Sequence, residues 1–280
     1  MPFYSIITIN YNNRKGLSDT ISSVLSQDYK DFEYIIIDGG SQDGSKDEIN
    51  KVKKDLSYYC SEPDGGIYPA MNKGIDKAKG EYILFLNSGD TLHNKNVLQE
   101  IHNQMNDHLD IVSGYAVLPN GNFLNHHEKN VLMMLMHSTF SHQATFIKRK
   151  LFDKYRYDEN ERIISDWKAW LQWVIIDKCT WKYVNTIVCN YNLDGISSSK
   201  QNWNDILKSR RESLEILFPP LIVEQLYKDS EYYLKGHLKH IELFSPLKKC
   251  LILCMKGLAF LGKTFTKLVS IQYKTRDNYR

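Results

Sequence analysis

Runs of apolar and polar residues along the first ninety positions mark out the elements one after another. Tyr4 to Asn10 is a largely apolar run that reads as a first strand, and Leu17, Ile21, Val24 and Leu25 then recur at helical spacing. Phe32 to Ile37 is a second apolar strand, ending at Asp38. The loop Gly39 to Gly44 leads to Ser45 with Glu48 three residues on, the capping-box signature of a helix start. A third, short strand from Tyr58 to Ser61 ends at Glu62 and Asp64. The helix expected near Ala70 to Lys79 closes at Gly80, where a glycine commonly follows a helix, and a further strand starts at Tyr82. Strands thus alternate with helices four times, the pattern of a parallel, doubly wound α/β sheet.

The stretch Gly80 to Asp90, GEYILFLNSGD, is the centre of this pattern. Tyr82 to Leu86 is apolar without alternation, as expected of a central strand covered on both faces, and Asn87, Ser88, Gly89 and Asp90 follow at once. These are also the commonest turn residues, so taken alone the stretch is equally an ordinary turn. What changes the picture is recurrence: Asp38, Asp64 and Asp90 all stand at or just past strand ends. In open α/β sheets the ligand sits at that rim. A concentrated negative edge is costly unless a cation or hydrogen-bond donors meet it, and a diphosphate bridged by Mg²⁺ is a natural guest. No dinucleotide fingerprint or P-loop is present, because the glycines after Asp38 are spaced GGxxxG.

Composition narrows the class. With 42% hydrophobic and 25% charged residues in 280, the chain has the make-up of a globular protein, and a net charge of +3 is too small to point to nucleic acid as a partner. Five cysteines, Cys60, Cys179, Cys189, Cys250 and Cys254, have no CxxC spacing, which suits a reducing compartment and argues against a structural zinc site. The opening MPFYSIITIN carries no basic segment or cleavage signal, so the expected location is the cytoplasm.

The runs SIITINYNNRKGL, YIIIDGGSQDGS, SEPDGGIYPAMNKGIDKAKGEYILFLNSGD and ISDWKAWLQWV together resemble family 2 glycosyltransferases of the GT-A fold, inverting enzymes that use nucleotide sugars. The resemblance covers residues 3 to about 175 and implies a Rossmann-like mixed sheet flanked by helices, a catalytic domain over residues 1–200 and a helical extension over 201–280. It implies that Asp38 reads the nucleobase, with Tyr11 and the strand end near Thr8 or Asn10 beside it. It also implies that Asp64, Asn72, Asn87 and His142 contribute to donor binding. The Asp90 turn falls at the DxD position, where Mn²⁺ or Mg²⁺ bridges to the donor diphosphate. A usual form of that turn is DSDD; here Asn87 and Gly89 replace both acids and leave Asp90 as the metal ligand, shifted by one. Likewise Gly39 stands where many relatives carry a second acid after Asp38.

Asp166, in the SDW run, is implied to be the base. On its own residues it is an acid at the start of an apolar helix beside Trp167 and Trp170. Aromatic cover there would raise its pKa toward a working value, although an acid in a first helical turn is equally explained by the helix dipole. His142 precedes an apolar strand, and an isolated histidine of this kind is often only a hydrogen-bonded structural residue; Gln143 shares both readings. His126 and His127 read as loop residues, Asn120-Gly121 as a hairpin turn, and Met133, Met134 and Met136 as packing or an apolar acceptor site.

After Asn192 the segment LDGISSS reads as a loop able to close over the donor. Trp203 to Phe218 and Leu221 to Phe244 read as helices separated by Pro219 and Pro220. Residues 247–270 form an amphipathic pattern in which Lys249, Lys256, Lys263 and Lys267 fall within about 40° of one another at 100° per residue. Spanning a bilayer would put Lys256 near its centre at about 3 kcal/mol, whereas lying on an anionic surface gains roughly 1 kcal/mol per lysine. The expectation is a protein peripheral on the inner face of the membrane, with packing on the catalytic domain or a homodimer as the alternative use of this helix. The activity expected is transfer of a sugar, from a UDP-sugar by family resemblance, to a lipid-linked or growing cell-surface polysaccharide such as capsule or lipopolysaccharide. A catalytically silent nucleotide-sugar-binding scaffold is the competing reading, and a phosphoryl-handling α/β enzyme is a third.

Overall fold

The structure of the protein, a computed structural model, describes residues 1–124, 135, 139–193 and 203–229. The expectations for His126, His127, Met133, Met134 and Met136, for the loop over 194–199, and for residues 230–280 with their amphipathic segment, Cys250 and Cys254 lie outside the described residues. The chain divides into two compact units, Met1–Leu193 and Asp194–Arg280.

In the first unit, β1 (Tyr4–Asn10), β2 (Phe32–Asp38), β3 (Tyr58–Ser61) and β4 (Tyr82–Phe85) alternate with α1 (Arg14–Leu25), α2 (Ser45–Val52) and α3 (Ile67–Lys77). There follow β5 (Thr91–Leu92), α4 (Val97–His102), β6 (Ile111–Val117), β7 (Thr145–Lys148), α5 (Leu151–Lys154), α6 (Ser165–Trp170) and β8 (Trp181–Asn190). One sheet runs β3-β2-β1-β4-β7-β6-β8-β5. Its first four strands are parallel, with Tyr4 opposite both Phe32 and Tyr82. β7 then pairs antiparallel with β4 and with β6. The parallel arrangement read from the alternation holds over these four strands, and the sheet as a whole is mixed because the strand beside β4 comes from beyond residue 140 and enters in the opposite direction. The mixed, helix-flanked sheet implied by the family resemblance is what is found.

Both faces of the parallel half are covered, which is why its strands are apolar without alternation. Ile6, Tyr34, Ile36, Leu84 and Leu86 join Leu17, Ile21 and Val24 of α1 in one core cluster. On the other face α3 lies so close that a Cβ on Gly74 would meet Ile7 Cγ2 at 2.5 Å. Burying each such Ile or Leu side chain contributes on the order of 1.5–3 kcal/mol.

The capping at the start of one helix and at the end of another differs from the sequence pattern. α2 does start at Ser45, but no capping box forms: Gly44 precedes it in left-handed backbone, Ser45 Oγ donates to Asp43 Oδ1 at 2.6 Å, and Glu48 pairs with Arg14 and Lys51. α3 ends at Lys77, and Ala78 is already extended. Gly80 is thus not a helix cap. A Cβ there would stand 2.5 Å from the Ser5 backbone nitrogen, so the residue is glycine because the chain passes flush against β1. Gly80→Ala should cost about 1–3 kcal/mol by forcing β4 away from β1, read as a lower denaturation midpoint at unchanged m.

The turn expected at Asn120-Gly121 is present, with Gly121 at φ 82° and Val117 bridged to Phe123. In the second unit α7 (Trp203–Leu217) and a helical stretch over 220–229 are separated at the Pro219 position. No helix among the described residues is long and apolar enough to cross a membrane.

Candidate active site

The carboxyl ends of β1, β2 and β4 lie side by side in register, Asn10 opposite Asp38, and the strand-end loops converge on one rim. Asp38 is only 1% exposed, and its carboxylate is fully engaged by the protein. Asn10 Nδ2 (2.6 Å) and Ser41 Oγ (2.5 Å) donate to Oδ1, while Ser61 Oγ (2.6 Å) and the Ser41 N–H (3.0 Å) donate to Oδ2. Burial pushes this carboxyl up, but the hydrogen bonds from Ser41, Ser61 and Asn10 outweigh it and hold it below the usual range. Asp38 therefore shapes the loop after β2. The exposed ring of Tyr11 and the carboxylate of Asp64 both lie close to Gly39. Thr8 lies deeper: its hydroxyl donates to the Leu86 carbonyl at 2.8 Å and meets Tyr34 Oη at 3.0 Å, tying β1 to the end of β4.

The turn after β4 is held from several sides. Gly89 adopts φ +103°, where an L side chain is strained, and its N–H donates to Thr20 Oγ1 at 3.0 Å. Asn13, which caps α1, donates from Nδ2 to the Ser88 carbonyl at 3.0 Å. Asp90 turns inward, 4% exposed, and its Oδ1 accepts the Asn192 N–H at 2.8 Å. Burial raises its pKa to about 6, against the opposing pull of the Asn192 N–H, His142 and the Gln143 side chain.

Asn87 enters a chain of hydrogen bonds that ends at Asp166. Asn87 Nδ2 lies 3.1 Å from His142 Nε2, and His142 Nδ1 lies 3.4 Å from Asp166 Oδ2. His142 thus links Asn87 to Asp166 through its two ring nitrogens. Tyr68, from the first turn of α3, has its hydroxyl 3.0 Å from Asp166 Oδ1 and 2.6 Å from the Ile163 carbonyl, two acceptors that share its one proton. Asp166 is 9% exposed. The expectation that aromatic cover raises its pKa is corrected: burial does push it up, but the hydrogen bond and charge of His142, with Tyr68 and the Trp167 N–H, bring it below the ordinary value. The surrounding donors, and not the tryptophans, set its acidity.

Strand ends thus gather Asn10, Tyr11, Asp38 and Asp64 in one group and Asn87, Asp90, His142 and Asp166 in another. Asn72 belongs to neither. It faces the 157–159 segment, donating to the Tyr157 carbonyl at 2.8 Å and Glu159 Oε1 at 2.9 Å and accepting the Tyr157 N–H at 3.2 Å. The sequence reading did not single out Ser41, which meets Asp38 three residues away, or Tyr68, Ser61, Asn13 and Thr20, whose roles depend on contacts 23 to 98 residues away in the chain.

For a divalent cation, the described residues contain no group of three His, Cys, Asp or Glu side chains able to hold one. What the turn does offer is hard oxygen chemistry: the Asp90 carboxylate and Asn87 Oδ1, which is buried and has no hydrogen-bond partner among the described residues. Such a pair fits Mg²⁺ or Mn²⁺ when phosphate and water oxygens complete the shell.

A mixed sheet whose parallel strands carry acids and amides at one rim, with an antiparallel strand beside β4, is the arrangement of GT-A glycosyltransferases. The chain belongs to glycosyl transferase family 2, whose sequence pattern matches residues 5–165. It is 29% identical over 205 residues to a PGL/p-HBAD biosynthesis glycosyltransferase of Mycobacterium bovis BCG, covering 71% of this chain and 80% of that protein. Among solved structures it resembles S. aureus TarS 1–349 in complex with UDP-GlcNAc (TM-score 0.61, 17% identity, 81% of this chain and 70% of that one). It also resembles the mannosyltransferase PcManGT of Pyrobaculum calidifontis, with GDP-Man and Mn²⁺ (TM-score 0.60, 17% identity, 97% and 84%).

Proposed function

We propose that this glycosyltransferase works with inversion, moving a hexosyl or N-acetylhexosaminyl group from a UDP-sugar to a hydroxyl of a lipid-linked or growing cell-surface glycan. The observation that carries the reading is the Asp166 carboxylate, ionised and held between Tyr68 and His142 in a line that leads to the strand-end turn. In the step proposed, the acceptor hydroxyl gives its proton to Asp166 as its oxygen bonds to the anomeric carbon. The bond from that carbon to the diphosphate breaks on the opposite face, and the diphosphate leaves with the electron pair. Asp90 and Asn87 would hold Mn²⁺ or Mg²⁺, which when bound supplies positive charge to the departing diphosphate. In this reading Asn10, Thr8 and Asn72 position the strands and loops of the donor site, and Tyr11, Asp38 and Asp64 frame the nucleotide end.

The lipid or cell-surface acceptor is supported by the mycobacterial relative, whose name places it in PGL/p-HBAD biosynthesis, and a uridine donor by the ligand of TarS. Calorimetric titration with UDP, GDP and dTDP, each with Mn²⁺, Mg²⁺ or chelator, tests the donor. One preferred nucleotide whose affinity falls in chelator supports the proposal, and no binding of any nucleotide overturns it. The neutral Asn87 and Gly89 and the inward-turned Asp90 favour one other reading, a donor-binding scaffold without activity. It predicts saturable donor binding and no turnover with any acceptor.

Membrane association through residues 247–270 belongs to the same proposal. Deleting the residues after Phe244 should abolish co-sedimentation with anionic vesicles and leave zwitterionic vesicles unbound by either protein. Equal sedimentation of both proteins removes the membrane role and leaves dimerisation for the tail.

A further inference from the structure

Asp166 opens α6, and the chain that leads into it has no helix or strand of its own: residues 155–164 are irregular between α5 and α6. The backbone groups of such a segment need partners from elsewhere. One face of α3 supplies several of them. Tyr68, Asn72 and Asp76 recur every four residues, a shift of about 40° per step, so they form a single stripe along the helix. Each of the three meets the segment. The Tyr68 hydroxyl lies within reach of both the Ile163 carbonyl and Asp166 Oδ1. Asn72 bridges the two backbone groups of Tyr157, donating to its carbonyl and accepting its N–H, and gives its other proton to Glu159 Oε1. Asp76 pairs with Arg156 at 2.7 Å.

The opposite side of α3 is fixed to the sheet. Gly74 stands about 200° around the helix from Asn72. A Cβ there would meet Ile7 Cγ2 at 2.5 Å and Ile37 Cγ1 at 3.6 Å, so that side lies flush on β1 and β2. α3 is thus held between the sheet and the segment that carries Asp166. The residue type at position 72 suits this use. Asn72 is a buried amide in mid-helix, 8% exposed, and it spends both protons and its oxygen on the 157–159 stretch. Alanine there would leave the Tyr157 N–H and carbonyl without these partners, and aspartate would set a carboxylate against that carbonyl and Glu159.

We propose that Tyr68 and Asn72 are positioning residues for the base: they fix Asp166 relative to the sheet, and Asn72 serves activation of the acceptor without touching the donor. This rests on the transferase reading above. A base must meet the acceptor oxygen within hydrogen-bond reach, and a misplacement of about 1 Å costs on the order of 100-fold. Tyr68 holds the carboxylate directly. Asn72 holds the chain that enters α6. Because the loop of Asp64 leads into the first turn of the same helix, α3 joins the donor rim to the base through one rigid element.

The test asks whether the two residues act through Asp166. Tyr68→Phe and Asn72→Ala are made alone and in combination with Asp166→Asn. UDP release from UDP-glucose and UDP-GlcNAc is followed with octyl β-glucoside, octyl β-galactoside and octyl α-mannoside as acceptor probes, beside calorimetric titration with UDP and Mn²⁺. Tyr68→Phe should lower kcat roughly tenfold and Asn72→Ala roughly 30-fold, with UDP affinity and the donor KM within about twofold of native. Added to Asp166→Asn, either should cost less than about twofold, because the group it positions is already gone. Full losses repeated in the Asp166→Asn protein would mean that the stripe only supports the fold, and a loss of UDP affinity that matches the loss of rate would return Asn72 to the donor; either overturns the proposal. Tyr68→Phe, which keeps its ring, decides the matter if Asn72→Ala does not fold. No release of UDP by the native protein from either donor defeats the transferase reading itself, and this inference with it.

Discussion

Asp166→Asn is expected to slow sugar transfer about a thousandfold, within the range found when a positioned general base is removed, and to leave donor affinity within about twofold. The change is isosteric. Its one amide oxygen can accept from the Tyr68 hydroxyl or from His142, not from both as the carboxylate does, so one of the two hydrogen bonds is lost while the side chain keeps its shape. A modest loss of stability should accompany it, because the fold favours the ionised form: burial raises the Asp166 pKa, but His142, Tyr68 and the Trp167 N–H pull it below the ordinary 3.8. An acid with a depressed folded-state pKa stabilises the protein above its unfolded value and loses that contribution as pH falls through the folded one. The Asp166 contribution is therefore complete at neutral pH and disappears only below pH 3.8. The same sign constrains the chemistry, since any fall in rate between pH 7 and 5 must come from another group. So acidic a carboxylate does not take a proton from a free hydroxyl in advance; it receives it as the acceptor oxygen becomes acidic on bonding to the anomeric carbon. Initial rates of UDP release with acceptor, beside circular dichroism spectra of both proteins, check this. A variant that keeps more than a tenth of the native rate would remove Asp166 from the role of base.

The parts of this fold that follow from local pattern were legible before the structure. Tyr4–Asn10 and Tyr58–Ser61 are strands over the residues expected, because an uninterrupted apolar run bounded by polar loop residues leaves few other solutions. What local pattern could not supply was the partner beyond the fourth strand. β7 enters beside β4 from sixty residues further along, antiparallel, and nothing in the spacing of Phe146 or Ile147 says so. The site divides in the same way. Asp38, Asp90 and Asp166 stand out in sequence as acids after strands or at a helix start, but the direction each carboxylate faces is decided by Ser41 and Ser61, by Asn192, and by Tyr68 and His142. Hence the pKa of Asp166 moved opposite to what its tryptophan neighbours suggested. Gly80, read as a helix cap, marks a close approach to Ser5, a tertiary reason for a residue that also has a common local one.

Asp90→Asn is expected to stabilise the protein at pH 7.5, by up to about 3 kcal/mol if burial is the whole cause, or on the order of 5–10 °C in Tm. The native carboxyl is 4% exposed, and burial lifts its pKa from 3.8 to about 6 against the pull of the Asn192 N–H, His142 and Gln143. An acid raised in this way binds its proton more tightly in the folded state, so falling pH favours folding. The penalty is full above about pH 6, shrinks through the interval down to 3.8, and is gone below it. Asparagine carries no charge to desolvate and still offers an acceptor to the Asn192 N–H, so its advantage should vanish across that same interval. Thermal melts of both proteins between pH 4 and 8 read this directly; a variant less stable at pH 7.5, or a gap that does not change with pH, would contradict it. An ionised carboxyl held at such a cost in a turn fixed by Gly89, Asn13 and Thr20 points to use of its charge. If that use is to help hold a cation against the donor diphosphate, UDP with Mn²⁺ should raise the melting point of the native protein and leave that of Asp90→Asn nearly unmoved. The more stable protein would then be the one that has lost its response to the donor.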